Sequence, residues 1–129
     1  MKLGIIGNGF VGNAIANAFV PYIEVKIHDK DPSRSMNTLD QVVNTSDVVF
    51  VCVPTPMRKD GTIDLSIVEG VFEQVQETLN NEEAIFVLKS TVVPGTTRSL
   101  KSKYPNLRIV FNPEFLTERP VSYTHLRAH

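Results

Sequence analysis

Short apolar runs alternate with stretches of helical periodicity from the first residues of the chain to about residue 111. Runs such as "DVVFVCV" are continuously apolar, which is typical of strands buried on both faces of a sheet. The alternation predicts right-handed β-α-β units and a parallel sheet. Predicted strands cover residues 2–7, 23–28, 47–53, 84–89 and 107–111, and predicted helices cover residues 10–19, 39–43, about 65–79 and 94–103.

Polar residues and one proline mark the starts of three predicted helices. Thr38 and Gln41 have the spacing of a capping box. Asp64 is expected to cap the third helix, and Pro94 suits the first position of the fourth. The apolar face of the third helix is formed by Val68, Val71, Phe72, Val75 and Leu79.

The composition limits the class of protein. The chain has 129 residues, which is room for one domain, and its hydrophobic content of 42% is enough for a core. Thirteen basic and fourteen acidic residues give a net charge of -1, so neither nucleic acid nor an anionic membrane is expected as a partner. With no signal peptide and no membrane-spanning run, we expect a cytoplasmic protein.

Cys52 is the single cysteine of the chain, so it cannot form an internal disulfide bond. This usage fits a reducing compartment. Because Cys52 lies inside the third apolar run, we expect it to be a buried core residue and not a nucleophile.

Residues 7–12 read "GNGFVG", which places three glycines at the G-x-G-x-x-G spacing between a predicted strand and a predicted helix. Gly7 permits the tight turn, Gly9 leaves room for a pyrophosphate, and Gly12 lets the helix pack closely on the strand. The helix N-terminus offers backbone N–H groups to phosphate oxygens. The intervening positions are Asn8, Phe10 and Val11. The alternative is a glycine turn that serves packing alone.

Asp29 follows the second predicted strand, about 20 residues after the glycine loop. A carboxylate there binds the adenosine ribose hydroxyls of a dinucleotide and repels a 2′-phosphate, which favours NAD over NADP. Lys30 and Arg34 lie close behind and keep NADP as an alternative, and Asp29 could also be a solvated strand-end residue. The glycine loop and Asp29 together predict an α/β fold with an incomplete, Rossmann-type doubly wound parallel sheet of about five strands in a single domain.

Three further loops follow the third, fourth and fifth predicted strands: "VPTP" (53–56), "KSTVVPGTT" (89–97) and "NPEFLTE" (112–118). Loops at the carboxyl ends of parallel strands converge on the ligand crevice. The residues expected to face that crevice are Thr55, Thr91, Glu114 and Glu118. Taken singly, each has a structural alternative as a turn residue, a helix cap or a carboxylate favoured by a helix dipole.

The glycine loop, "VPTP", "STVVPGTT" and "NPEFLTE", in this order, resemble the NAD-binding N-terminal domain of the UDP-glucose/GDP-mannose dehydrogenase family over residues 1–118. The resemblance implies an NAD-dependent oxidoreductase of polysaccharide biosynthesis. Its substrate would be UDP-glucose or a similar nucleotide sugar, whose primary alcohol is oxidised to a carboxylate in two hydride transfers. The implied cofactor-binding residues are Gly7, Asn8, Gly9, Phe10, Val11, Gly12, Asp29, Lys30, Val53, Pro54, Thr55, Thr91 and Glu118.

The resemblance also implies three catalytic residues. Thr91 would help to position a water molecule, and Glu114 would act as the general base of thioester hydrolysis. Glu118 would lie close to the nicotinamide and the sugar.

Several family features have no counterpart in the chain. They are the nucleophilic cysteine of a glycine-rich motif and the lysine and asparagine of the helix that links the two domains. We therefore expect the isolated chain to bind NAD weakly and not to turn over UDP-glucose, and the full-length protein to be a homo-oligomer. The open alternatives are a fragment of a 3-hydroxyacid or 6-phosphogluconate-type dehydrogenase and a stand-alone NAD-binding regulatory module.

Residues 119–129 depart from the family pattern and resemble translated adaptor or vector sequence. We predict an artefactual or disordered tail there. His125 and His129 are four residues apart, but no third ligand is nearby, so no metal site is expected.

Overall fold

The computed structural model describes residues 1–80, 83–89 and 96–111. In this part of the chain, strands and helices alternate as the apolar pattern predicts. The elements are β1 (Lys2–Ile6), α1 (Phe10–Phe19), β2 (Glu24–His28), α2 (Leu39–Thr45), β3 (Val48–Val51), α3 (Ser66–Thr78), β4 (Ile85–Leu88), α4 (Thr96–Lys103) and β5 (Arg108–Phe111).

The strands form one parallel sheet in the order β2-β1-β3-β4-β5. β1 is paired on both edges, so that Leu3 lies opposite Val25 of β2 and Val48 of β3. The predicted Rossmann-type parallel sheet is confirmed. The carboxyl ends of all five strands lie at one edge of the sheet, where the crevice of such a fold forms.

Successive residues of β1 point to opposite faces of the sheet, and each face is covered by different helices. Ile5 packs with Ala16 of α1 and Ile27 of β2 on one face. Ile6 belongs to a larger core on the other face, which α2, α3 and α4 cover. That core includes Val42, Val49, Phe72, Phe86, Leu100 and Tyr104. The sheet is therefore doubly wound.

The helix starts agree in part with the prediction. The Thr38 side chain accepts a hydrogen bond from the backbone N–H of Gln41, whose side chain accepts one from the backbone N–H of Thr38, so the predicted capping box is confirmed. α3 begins one residue later than expected, with Leu65 at the N-cap, although the Asp64 carboxylate accepts from the N–H of Ser66 at 2.9 Å. Pro94 lies outside the described residues.

Within residues 1–80, 83–89 and 96–111, no helix combines the length and the apolar character that a bilayer span requires.

Candidate functional site

A cleft of about 810 Å³ opens at the carboxyl ends of β1, β2 and β3. Gly7 follows β1, Asp29 follows β2 and Val53 comes shortly after β3, and all three line it. Its volume is in the range of small-molecule and cofactor sites. The strand order therefore brings together three segments that are far apart in sequence.

The glycine loop forms the floor of this cleft. Gly7 has φ of +101°, a conformation that residues with a side chain rarely adopt. A β-carbon on Gly12 would lie 1.9 Å from the carbonyl oxygen of Gly7, so only glycine lets α1 approach the loop this closely. At Gly9 a β-carbon would meet no atom within 4 Å. Gly9 lines the cleft, so it leaves open space where the sequence predicts a pyrophosphate.

α1 begins directly after this open space. Gly9 is its N-cap and supplies no side-chain hydrogen bond, and the first turn contains no acidic residue. The backbone N–H groups of that turn and the positive end of the helix dipole suit an anion. Phe10, which is 93% exposed, and Val11 line the cleft beside them.

The Asp29 carboxylate is held at the rim of the cleft by two backbone groups. Its Oδ2 accepts from the N–H of Asn8 at 2.7 Å, and its Oδ1 accepts from the N–H of Asp31 at 2.9 Å. Each carboxylate oxygen can accept a further hydrogen bond, so both remain available to a ligand hydroxyl. Lys30 also lines the cleft at this rim.

Asp31 and Arg34 add opposite charges to the same rim, and both line the cleft. The Asp31 carboxylate accepts from the hydroxyl and the N–H of Ser33, at 2.8 Å and 3.0 Å, and these hydrogen bonds lower the pKa of Asp31. The Arg34 Nε lies 3.8 Å from Asp31 Oδ2. Both partners are largely exposed, so this pair contributes little to stability, but it orients the guanidinium toward Asp31.

The opposite wall of the cleft comes from two segments. Val53, Pro54 and Thr55, which the sequence predicts as cofactor-binding residues, line it after β3. α3 contributes Ile67, Gly70, Val71 and Gln74, which the sequence reasoning missed. Their spacing of three, four and seven residues places them on one helix face and is the signal that could have identified them.

Cys52 differs from the expectation of a buried strand residue. β3 ends at Val51, and Cys52 follows it as a half-buried residue that lines the cleft. Its backbone N–H donates to the carbonyl oxygen of Ile6 at 2.8 Å. The apolar run of the sequence extends beyond the strand because the first loop residues are apolar as well.

Of the glycine-loop residues, Asn8 and Gly12 lie behind the surface of the cleft and not in its lining. His28, at the end of β2, lines it although the sequence reasoning did not single it out. Thr91, Glu114 and Glu118, the predicted catalytic residues, lie outside the described residues. Within the described ranges, no three or more His, Cys, Asp or Glu side chains are grouped so that they could hold a metal ion.

Comparison with known proteins assigns a family to this arrangement. Residues 25–127 match the family model described as "UDP-glucose/GDP-mannose dehydrogenase family, NAD binding domain". The matched range includes Asp29 and the three loops after β3, β4 and β5, and it extends past residue 118. The predicted boundary at residue 118 stays a prediction.

One relative covers nearly the whole chain, including the glycine loop. The chain is 30% identical to the UDP-glucose 6-dehydrogenase of Streptococcus pneumoniae over 98% of its own length and 39% of that protein. It is 31% identical to the UDP-glucose 6-dehydrogenase AglM of Haloferax volcanii over 92% of its length and 37% of that protein. The chain thus spans less than two fifths of these relatives.

A solved structure shows the same fold. The UDP-glucose dehydrogenase of the hyperthermophilic archaeon Pyrobaculum islandicum superposes with a TM-score of 0.72 at 25% sequence identity. The superposition covers 88% of this chain and 35% of that one.

Proposed function

The chain belongs to the UDP-glucose/GDP-mannose dehydrogenase family, and on that premise we propose that it is the cofactor-binding part of a dehydrogenase that oxidises nucleotide sugars. The matched family domain is an NAD binding domain, and NAD is the cofactor of this chain. When bound, NAD accepts a hydride from the substrate. The residues described above supply the binding and the orientation.

The open space at Gly9 carries this proposal. It lies in the cleft beside a helix N-terminus that has no side-chain cap, and the Asp29 carboxylate stands at the rim of the same cleft. A pyrophosphate requires close backbone approach and N–H donors, and a ribose requires an acceptor for its hydroxyls. The residues present therefore fit a dinucleotide.

Each group has a distinct task in this arrangement. The first turn of α1 holds the pyrophosphate through backbone N–H groups, and Gly9 keeps that approach free of side chains. Asp29 accepts hydrogen bonds from the ribose hydroxyls and disfavours a 2′-phosphate by charge repulsion. Val53 and Val71 provide apolar walls that exclude water from the bound cofactor.

The substrate and the reaction extend this proposal. Two relatives are UDP-glucose 6-dehydrogenases, which supports a nucleotide sugar as substrate and oxidation of its primary alcohol to a carboxylate in two hydride transfers. Thr91 would position a water molecule, Glu114 would act as general base, and Glu118 would lie near the nicotinamide. The nucleophilic cysteine of the family has no counterpart in the 129 residues, so the isolated chain binds NAD without turning over UDP-glucose.

The test is a titration of the full 129-residue chain with NADH, followed by the fluorescence of NADH. The chain contains no tryptophan, so protein fluorescence overlaps little with that of NADH. Saturable binding is expected. Gly9→Val should weaken it by at least about tenfold, because the side chain occupies the pyrophosphate space. Its melting temperature should stay close to that of the unaltered chain, because no atom lies within 4 Å of the new β-carbon.

Ala18→Val is the control, since it places the same valine side chain at an exposed position near the other end of α1. It should leave NADH binding unchanged. Absence of saturable binding by the unaltered chain would contradict the proposal, as would a Gly9→Val variant that binds NADH normally.

A further inference from the structure

Asn8 connects two neighbouring loops that line the cleft at the end proposed to hold the adenosine. One is the glycine loop, to which it belongs. The other is the segment of residues 29–37, here named the rim loop. The backbone N–H of Asn8 donates to the Asp29 carboxylate at 2.7 Å, and its side-chain Nδ2 donates to the carbonyl oxygen of Arg34 at 2.9 Å. A single residue thus holds the rim loop near its start and near its middle.

The rim loop is a compact unit because its own polar groups bond to one another. Ser33 donates twice to the Asp31 carboxylate, and the N–H of Arg34 donates to the carbonyl oxygen of Asp31 at 2.9 Å. The Ser35 hydroxyl accepts from the N–H of Asp29 at 3.1 Å and donates to the carbonyl oxygen of Asn37 at 3.0 Å. The end of the rim loop is fixed to β2, where the N–H groups of Met36 and Asn37 donate to the carbonyl oxygen of Ile27. The bond from Asn8 to Arg34 fixes the part of the loop that lies away from this anchor.

The Asn8 amide makes this attachment at a cost. Its Oδ1 is buried and has no hydrogen-bond partner among the described residues. An unpaired buried carbonyl oxygen destabilises the folded state. A smaller side chain would avoid the unpaired oxygen but would also lack the amide N–H donor. The acceptor of that N–H is the main-chain carbonyl oxygen of Arg34.

We propose that Asn8 is a positioning residue that sets the preference of this chain for NAD over NADP by fixing Arg34 relative to Asp29. This inference rests on the proposed function. Arg34 is the cation of the rim loop suited to pair with a 2′-phosphate, because a guanidinium matches phosphate geometry. Its main chain is held by Asn8 and its guanidinium is drawn toward Asp31. A 2′-phosphate then meets the charge of Asp29 without the paired hydrogen bonds that a guanidinium offers a phosphate.

Loss of the Asn8 side chain releases the Arg34 main chain but keeps the backbone N–H that bonds to Asp29. The rim loop can then move outward, and Arg34 can turn toward a 2′-phosphate. The ribose hydroxyls of NAD lose part of their alignment with Asp29 in the same change. The affinity for NADH should therefore fall, and the affinity for NADPH should not fall with it.

The experiment measures dissociation constants for NADH and NADPH by their fluorescence with the full chain, Asn8→Ala and Asn8→Leu. Asn8→Leu keeps the approximate size and shape of the side chain, removes the N–H donor and adds no charge. For both variants we expect NADH binding to weaken by about threefold to tenfold, the effect of one lost hydrogen bond. NADPH binding should stay constant or improve, so that the dissociation constant of NADPH divided by that of NADH falls by about threefold or more.

Asn17→Ala is the matched control, because Asn17 is exposed on α1 and is not part of the cleft lining. It should leave the ratio unchanged. A purely structural role of Asn8 would weaken both cofactors equally, so an unchanged ratio in both Asn8 variants overturns this inference and leaves the proposed function intact. If the unaltered chain binds neither cofactor, the proposed function fails and this inference fails with it.

Discussion

The carbonyl oxygen of Gly7 lies 1.9 Å from the point that a β-carbon on Gly12 would occupy, which is well inside the contact distance of the two atoms. Gly7 has φ of +101°, and a β-carbon there would also lie 2.5 Å from the carbonyl oxygen of Cys52. The turn after β1, the first turn of α1 and the residue after β3 are thus packed backbone against backbone. The fold depends on glycine at both positions, independently of any ligand.

The first prediction concerns Gly12. Gly12→Ala should lower the free energy of unfolding by about 3 kcal/mol, because α1 must shift to relieve the contact with Gly7. Urea denaturation followed by circular dichroism measures this change. Gly70→Ala provides the comparison, since its β-carbon meets no atom within 4 Å and the residue lies inside α3. It should raise stability by about 0.5–1 kcal/mol. Equal effects of the two substitutions would contradict the packing argument.

The second prediction concerns the capping box of α2. Thr38→Ala removes the acceptor of the Gln41 N–H and should cost about 1 kcal/mol of stability. Thr38→Ser keeps the hydroxyl and should cost much less. Val42 and Val43 are fully buried, so loosening of this helix is transmitted to the main core. Chemical denaturation of the three proteins gives the values, and an Ala variant as stable as the Ser variant would disprove the role of the cap.

The third prediction concerns Tyr104. Burial, which is the largest cause, raises its pKa to about 12 together with a hydrogen bond to the Glu73 carboxylate at 2.9 Å and the charges of Glu73 and Glu69. The pKa of tyrosine in an unfolded chain is about 10. The stability that the protonated phenol provides is therefore complete below about pH 10 and is lost as the pH rises through about 12.

Tyr104→Phe should remove this alkaline loss of stability and cost about 1 kcal/mol at neutral pH, since the hydrogen bond to Glu73 disappears. Denaturation midpoints measured from about pH 9 to about pH 12 test the dependence. Tyr22→Phe is the control, because Tyr22 is 81% exposed. If the Tyr104→Phe protein still loses stability at alkaline pH, groups other than Tyr104 cause that loss.

The fourth prediction concerns the charge of Asp29. Asp29→Asn keeps an acceptor for the N–H of Asn8 but removes the repulsion of a 2′-phosphate. NADPH binding should improve relative to NADH binding by about tenfold, as calorimetric titrations of both cofactors would show. The corresponding change at Asp40, which lies on α2 outside the cleft lining, should alter neither affinity. If the ratio of the NADPH and NADH affinities is unchanged in the Asp29 variant, the charge of Asp29 does not determine the cofactor specificity.

Most of the fold could be predicted because its signals are local. Five β-branched apolar runs predict the five strands, and the spacing of Thr38 and Gln41 predicts a cap that the structure contains. The end of β3 could not be predicted, because Cys52 and Val53 continue the apolar run after the strand ends at Val51. The start of α3 could also be predicted only approximately. The Asp64 carboxylate accepts a hydrogen bond from the first helical N–H, as a cap would, but the N-cap residue is Leu65.

The candidate site could be predicted only where a motif is contiguous in sequence. The glycine loop and Asp29 carry recognisable spacings, and the structure places Gly9 and Asp29 at one cleft. The spacing of Ile67 and Gln74 places them on one face of α3, but whether that face lines the cleft depends on how α3 crosses the sheet. The bond between Asn8 and Arg34 likewise depends on the three-dimensional course of the rim loop.

The strand order has a consequence for how the chain folds during translation. β2 and β3 each pair with β1, β4 pairs with β3, and β5 pairs with β4. Of the five described strands, each one after β1 therefore pairs with a strand that has already left the ribosome, and none has to be inserted between two strands that are already joined. Assembly of the sheet can keep pace with synthesis, so little apolar strand surface waits unpaired for a partner that has yet to be made.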